Sequence, residues 1–329
     1  MIAREIPINF INNTPLGISI YSVKREAPHI HRNTLEIVYC LKGEITLSVT
    51  HERLRFRAGD LYIVNATDIH SIESTGQNDA LVVSFYINAL DNSLPSDSLL
   101  YELFVCQEAV ISEVTETYIP KLKELLIISL YFYCFHPKMN FEIYTRLTQR
   151  IVSILVEYFP LFYFSTNAHK FLPNERERYD TILRYIRKNY REKITLTKLA
   201  EIVHCNPSYL SQFFNKYLNN HNNGGHSMNT LHDLINFVRV YEAETLLCTT
   251  DKNISDISYD CGFSDPKFLY RTFKEWFSRT PFEHKSWYEE YASTASPNHY
   301  YSPDEIASEI EHCIALNLSS LILNIDFDF

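Results

Sequence analysis

A chain of 329 residues, 46% apolar and 21% charged, can bury sizeable cores, which excludes global disorder and suits two or three domains. No apolar run reaches the ~20 residues of a membrane span, and MIAREIPINF lacks a basic head followed by an apolar stretch, so no signal peptide is read and a cytoplasmic location is expected. The net charge of −10 excludes a uniformly basic surface, and seven scattered cysteines without a C-x-x-C pair exclude a disulfide framework or a zinc finger.

Residues 16 to about 90 alternate in the manner of strands. Leu35–Thr50 reads as two β-rich runs around a hairpin turn at Lys42-Gly43, Ala58-Gly59-Asp60 as another turn, and Ala80–Ile87 as one more strand. Short strands at close spacing predict a small sandwich or barrel. Within them His29, His31, Glu36 and Gly43 satisfy H-x-H-x4-E-x6-G, and Gly59 through His70 supplies a further histidine. On these residues the segment resembles the cupin fold. It departs from that pattern at Asn65 and Thr67, where proline and glycine are usual, and no glycine precedes His29 at the expected offset. In metal cupins the matching three imidazoles and carboxylate hold a divalent ion, a donor set that suits such a metal. The residues also read as polar groups lining a small-ligand pocket, or as packing alone. We take His29, His31, Glu36 and His70 as an effector pocket, with no metal, no cofactor and no catalytic residue assigned.

From Leu99 to about Phe164 the alternation stops. Two helices with broad apolar faces are predicted, the first broken at Pro137 and the second ended at Pro160. Ile143, Leu147, Ile151, Ile154, Leu155 and Tyr158 form one stripe on the second. Ser165–Arg178 is polar, carries Pro173 and reads as the linker; a helix follows with Ile182, Tyr185, Ile186 and Tyr190 inward.

Ile194–Leu218 then reads as two short helices. Thr195 or Thr197 caps the first, Cys205-Asn206-Pro207 makes the turn, and Pro207 suits the opening of the second. Leu210, Phe213, Phe214 and Tyr217 lie inward, while Ser208, Tyr209, Ser211, Gln212, Asn215 and Lys216 stay outside. Asn219–Asp233, with Gly224-Gly225 and several asparagines, reads as a mobile surface loop. A long helix carrying Arg239, assigned a phosphate contact, links this pair to a second one at Asp251–Phe282. There Gly262 stops one helix and Ser264 or Asp265 caps the next. Leu269, Phe273 and Trp276 form its buried stripe; Lys267, Tyr270, Arg271 and Lys274 make a basic and aromatic face. That is the form that enters a DNA major groove.

LAEIVHCNPSYLSQFF and GFSDPKFLYRTFKEWFSRTPFEH resemble the two helix–turn–helix units of AraC/XylS-family transcription regulators, the second nearly position for position. The resemblance implies sequence-specific binding of double-stranded DNA through Ser208, Tyr209, Ser211, Gln212, Asn215, Lys216, Arg239, Lys267, Tyr270, Arg271 and Lys274. Gln212 stands where the family often has arginine, and glutamine pairs best with adenine. Lys170–Tyr291 holds 17 Lys and Arg against 16 Asp and Glu, leaving 13 against 24 elsewhere, so any field for phosphates comes from local placement. The resemblance further implies a small-molecule effector, RNA polymerase as a partner and a homodimer paired through the helical middle.

The expected architecture is α+β and multidomain. Residues 1–95 form a cupin-like β-barrel, 96–168 a helical dimerisation segment, and 169–291 an all-α domain with two helix–turn–helix units. The remaining 292–329 is set apart as a tail, the start or remnant of a further domain, with Asn298–Tyr301 as loop, Pro303–Leu316 as an acidic helix and Ser319–Phe329 as a β-type run. The alternative reading is a metal-dependent cupin enzyme with the helix–turn–helix region as a protein-binding appendage.

Overall fold

Runs of branched and aromatic residues make the first half of the chain sheet-forming, since such side chains pack well on a pleated surface. In this computed structural model the described residues are 2–49, 52–76, 79–94, 104, 113–136, 138, 140–159, 173–218, 222–223, 226–227 and 230–318. One sheet has the order β1 (Arg4–Glu5), β3 (His29–Ile30), β8 (His70–Ser74), β5 (Glu44–Val49), β6 (Glu52–Arg57). The other has the order β12 (His299–Tyr301), β2 (Leu16–Val23), β9 (Ala80–Asn88), β4 (Thr34–Lys42), β7 (Leu61–Val64). Helices α1 (Glu113–Phe135), α2 (Phe141–Tyr158) and α10 (Pro303–Leu318) share the core of these sheets: Leu122, Leu126, Ile151, Leu155 and Ile310 join Leu35, Ile37, Phe85 and Ile87. β4 and β9 are consequently buried along nearly their whole length. Strands so covered read as continuous apolar runs rather than as alternation.

Three expectations change here. Lys42-Gly43 is not a hairpin turn, because β4 and β5 belong to different sheets. The chain turns a corner at an irregularity between Cys40 and Lys42, and Gly43 takes φ +89° where a Cβ would sit 3.2 Å from Ala80 Cβ. The tail is not a separate piece as far as Leu318. Residues 299–301 are strand rather than loop, since β12 pairs with the edge of β2 (Tyr300 opposite Tyr21), and Ile310, Cys313 and Ile314 of α10 enter the first core. Residues 319–329, read as a β-type run, lie outside the described residues. The predicted linker is already helix at Pro173, because proline is tolerated in a helix's first turn, where its missing N–H costs nothing; 160–172 lie outside the described residues.

The second half is built from α3 (Pro173–Asn189), α4 (Leu196–Ile202), α5 (Pro207–Leu218), α6 (Leu231–Thr249), α7 (Ile254–Asp260), α8 (Pro266–Phe277) and α9 (Pro281–Ser293). α6 is its axis, burying Leu234, Val238, Val240, Leu247 and Cys248 in a core shared with Ile182, Leu210, Phe214, Leu269, Phe273 and Tyr288. Within the loop predicted at Asn219–Asp233, Asn222–Asn223 (β10) pairs with His226–Ser227 (β11), adding a short ribbon to an otherwise helical unit. That loop ends three residues early: Thr230 and Asp233 form a reciprocal cap on α6. No helix among the described residues is long and apolar enough to cross a membrane.

The two halves touch. Ala3, Ile30 and Ile69 belong to the second core. Ile2 and Ala3 donate their backbone N–H to Cys248 O (2.8 and 3.1 Å), and Thr245 Oγ1 donates to Thr67 O (3.2 Å). Arg25 stacks on Tyr291, whose hydroxyl donates to Glu73 (3.4 Å).

Candidate functional site

In the second helix pair the local chemistry fixes the turn. Asn253 caps α7 by accepting from Asp256 N, and Asp265, rather than Ser264, caps α8 by accepting from Lys267 N, with Pro266 opening the helix. Between them Gly262 takes φ +81°, with room for no side chain: a Cβ would lie 2.6 Å from Tyr190 O and 2.8 Å from Arg191 O. Leu269, Thr272, Phe273, Trp276 and Phe277 are buried, and Trp276 packs on Phe237 of α6 at 4.6 Å between centroids. Lys267, Tyr270, Arg271 and Lys274 are all exposed. Lys267 and Arg271 both lie over the Phe268 ring, at 5.1 and 5.3 Å from its centroid, and Arg271 is 3.9 Å from Glu275. Such exposed contacts are weak enough to give way to phosphate.

In the first pair Thr195, not Thr197, caps α4, and Asn206 Oδ1 accepts from Ser208 N (2.7 Å) at the start of α5. Ser208, Tyr209, Gln212, Asn215 and Lys216 are exposed and Ser211 is half-buried. Arg178, which the sequence reading passed over, donates to Tyr209 OH at 3.0 Å and lies over its ring. No spacing signal could find a residue 31 positions away on a different helix. Lys216 is 3.8 Å from Glu175. Arg239, the expected phosphate contact, donates from its guanidinium to Tyr190 O (2.8 Å) and Glu192 O (2.9 Å) and lies over Phe263. It ties α6 to the segment after α3, which uses two of the guanidinium's five N–H donors.

In the first half, His29, His31, Glu36 and His70 come together as the motif implies, with donor atoms all within 4.8 Å of one another. Each is at most 4% exposed, and His29 lies on the wall of a cleft of about 740 Å³. Each imidazole is oriented through Nδ1, to Ala27 O (His29, 3.0 Å), Ile6 O (His31, 3.1 Å) and Asp68 O (His70, 3.1 Å). A carbonyl only accepts, so Nδ1 carries the proton and Nε2 keeps its lone pair in the neutral ring. Nε2 of His70 and of His31 lie 2.8 and 3.3 Å from Glu36 Oε2, without the alignment of hydrogen bonds. Burial opposes charge on Glu36, but His70 and then His31 hold its carboxyl well below the ordinary range. Burial, then the neighbouring His70 and His31, push His29 well below the usual imidazole value. Burial also works against a charged His70, yet the Glu36 carboxylate leaves it raised. Three imidazoles held by outer carbonyls around a carboxylate fit a divalent ion.

Beside the tetrad stands Glu26, also buried, whose Oε1 accepts from Asn298 Nδ2 at 2.6 Å. Burial, then the Glu36 charge, push its carboxyl up to about 8. The native state thus holds a proton that the unfolded chain has released above pH ~4.5, and stability falls as pH rises through the window up to about 8. Glu26→Gln should therefore gain on the wild type between pH 5 and pH 8, by a few kcal/mol in order of magnitude; parallel urea melts at the two pH values would measure this, and equal slopes would refute it.

A cupin-domain family model matches residues 21–86, and a helix-turn-helix-domain model matches residues 199–285. An uncharacterized HTH-type transcriptional regulator of Staphylococcus aureus strain COL is 23% identical over 253 residues, covering 77% of this chain and 31% of that protein. The bifunctional transcriptional activator/DNA repair enzyme AdaA of Bacillus subtilis is 34% identical over 107 residues, 32% of this chain and 46% of AdaA. The chain thus spans about a third of the length of the Staphylococcus relative. Among solved structures, unsaturated-fatty-acid-bound ToxT of Vibrio cholerae is similar over 88% of this chain and 100% of its own, at 14% identity and a TM-score of 0.41.

Proposed function

We propose that this chain, a cupin domain joined to a helix–turn–helix domain of the AraC/XylS type, is a sequence-specific DNA-binding transcription regulator controlled from its N-terminal unit. The observation that carries this is the pair of capped helix–turn–helix units, α4–α5 and α7–α8, buried on one side and polar or basic on the other. Lys267, Tyr270, Arg271 and Lys274 read DNA from α8; Ser208, Tyr209, Ser211, Gln212, Asn215 and Lys216 do so from α5, with Gln212 suited to adenine. Arg271→Ala should weaken operator binding ~10- to 100-fold, the usual worth of a good base contact, and blur the sequence preference. A DNase footprint unchanged in position and midpoint would remove Arg271 from the interface.

The reading takes a cytoplasmic homodimer that works with RNA polymerase. Its subunits pair through α1 and α2, supported by the exposed Tyr131 and Phe141 near their junction. Paired subunits suit paired half-sites.

A second reading concerns the tetrad. The three Nδ1 anchors favour a bound divalent ion, held by His29, His31, His70 and Glu36, over a pocket for an organic effector. The ion would supply a fixed positive charge that locks this end of the sheets. Metal analysis of the purified protein should find close to one transition-metal ion per chain, lost in His31→Ala. A metal-free protein that takes up none on dialysis against Mn, Fe, Ni or Zn would end this reading.

A further inference from the structure

One cation of the second half stands outside both helix–turn–helix units yet touches the first of them. Arg178, in the second turn of α3, is partly buried and reaches Tyr209 on α5. Its Nη1 donates to Tyr209 OH at 3.0 Å, and its guanidinium carbon lies 5.2 Å from the ring centroid. Nε is enclosed and makes no hydrogen bond, so among the described residues Tyr209 OH is the acceptor on which this side chain closes. One turn along α5 the Phe213 ring lies 6.4 Å from that of Tyr209, and beyond it Lys216 is 3.8 Å from Glu175 on α3. The start of α3 therefore runs beside the Tyr209–Lys216 stripe of α5. Burial raises the thiol of Cys205, in the turn between α4 and α5, and the Arg178 charge lowers it, which puts the guanidinium close to that turn as well.

Arginine has donors and no acceptor, so in this contact the tyrosine oxygen accepts and the phenolic hydrogen is turned elsewhere. A hydroxyl that accepts from a cation is polarised and donates more strongly in turn. Tyr209 is 40% exposed and is the third residue of α5, at the end of a recognition helix whose side chains meet base edges. DNA offers acceptors there on its phosphates and on its major-groove edge, where purine N7, guanine O6 and thymine O4 are presented. We propose that Arg178 is a positioning residue for DNA recognition: it holds the Tyr209 ring at the groove-facing end of α5 and fixes the hydroxyl as a donor to an acceptor on DNA. This rests on the DNA-binding reading of α5 and adds to it a residue from outside the two helix–turn–helix units.

The full chain, titrated by fluorescence anisotropy against a duplex that it selects from a random-sequence pool, tests this. Arg178→Ala and Tyr209→Phe should each weaken binding to that duplex about tenfold. The double variant should be no more than about twofold worse than either, because both changes remove the same bond. The slope of log affinity against log salt should stay that of the wild type, whereas losing a residue that itself neutralises a phosphate lowers it by about one. Tyr209→Phe keeps the ring and its packing, so it decides the question even where Arg178→Ala melts early. Unchanged affinity in Tyr209→Phe, losses that add in the double variant, or a reduced salt slope in Arg178→Ala would each overturn the assignment while leaving DNA binding in place. A pool that yields no preferred duplex would instead remove the DNA-reading role of α5, and the role of Arg178 with it.

Discussion

Gly262→Ala should disable the second helix–turn–helix outright, at a cost of about 3 kcal/mol, while the equally left-handed Gly59→Ala costs about 1 kcal/mol. Both glycines have positive φ, +81° and +93°, so both substitutions incur the left-handed penalty. They differ in what a methyl would meet. At Gly59 nothing lies within 4 Å; at Gly262 the Cβ runs into Tyr190 O and Arg191 O, both backbone. Those atoms cannot swing aside, because Tyr190 O is also the acceptor for Arg239 Nε. The clash therefore loosens the clamp between α3 and α6 as well as the turn ahead of α8. Urea midpoints of the two variants measure the difference, and operator binding should disappear only in Gly262→Ala. Equal destabilisation by the two would mean that φ alone, and not the close approach, makes Gly262 necessary.

How much of this was legible in the sequence depended on range. The helix–turn–helix units were readable because everything that makes them is local: caps within three residues, stripes at helical spacing, a glycine at the stop. The histidine motif was readable as spacing, but what makes it a fitted donor set was not, since the anchor for His31 is the carbonyl of Ile6, 25 residues away. Gly43 signalled a turn without saying which strands it joins; that is decided by pairing with β9 and β8, far along the chain. β12 is three residues long and holds only by adding to the edge of β2, so composition could not announce it. Glu26 gave no signal at all. A carboxylate in a loop is ordinarily solvated; here it is buried, and the Asn298 amide that donates to it comes from 272 positions later.

The contact between the halves offers the other large effect. Glu244 on α6 accepts from His284 Nε2 of α9 at 2.7 Å and from Tyr288 OH at 3.4 Å, and the pair is almost wholly buried. Burial pushes the Glu244 carboxyl up, and His284 draws it back. Glu244→Ala removes one member of a buried pair and leaves His284, whose Nδ1 already lacks a hydrogen-bond partner, without its carboxylate. Breaking such a pair costs about 3–5 kcal/mol. Glu244→Ala/His284→Ala should be less destabilised than the sum of the single variants by at least about 1 kcal/mol, since the second change removes the stranded group. Tyr288 OH also lies 3.5 Å from Ile69 O, and Ile69 immediately precedes His70, so the disturbance has a short route to the tetrad. Amide exchange at residues 65–70 should accelerate in Glu244→Ala while exchange in β9, at the centre of its sheet, stays unchanged. Exchange at 65–70 unchanged despite the lost stability would show that the buried pair holds the helices alone and that the seam to the histidines is carried elsewhere.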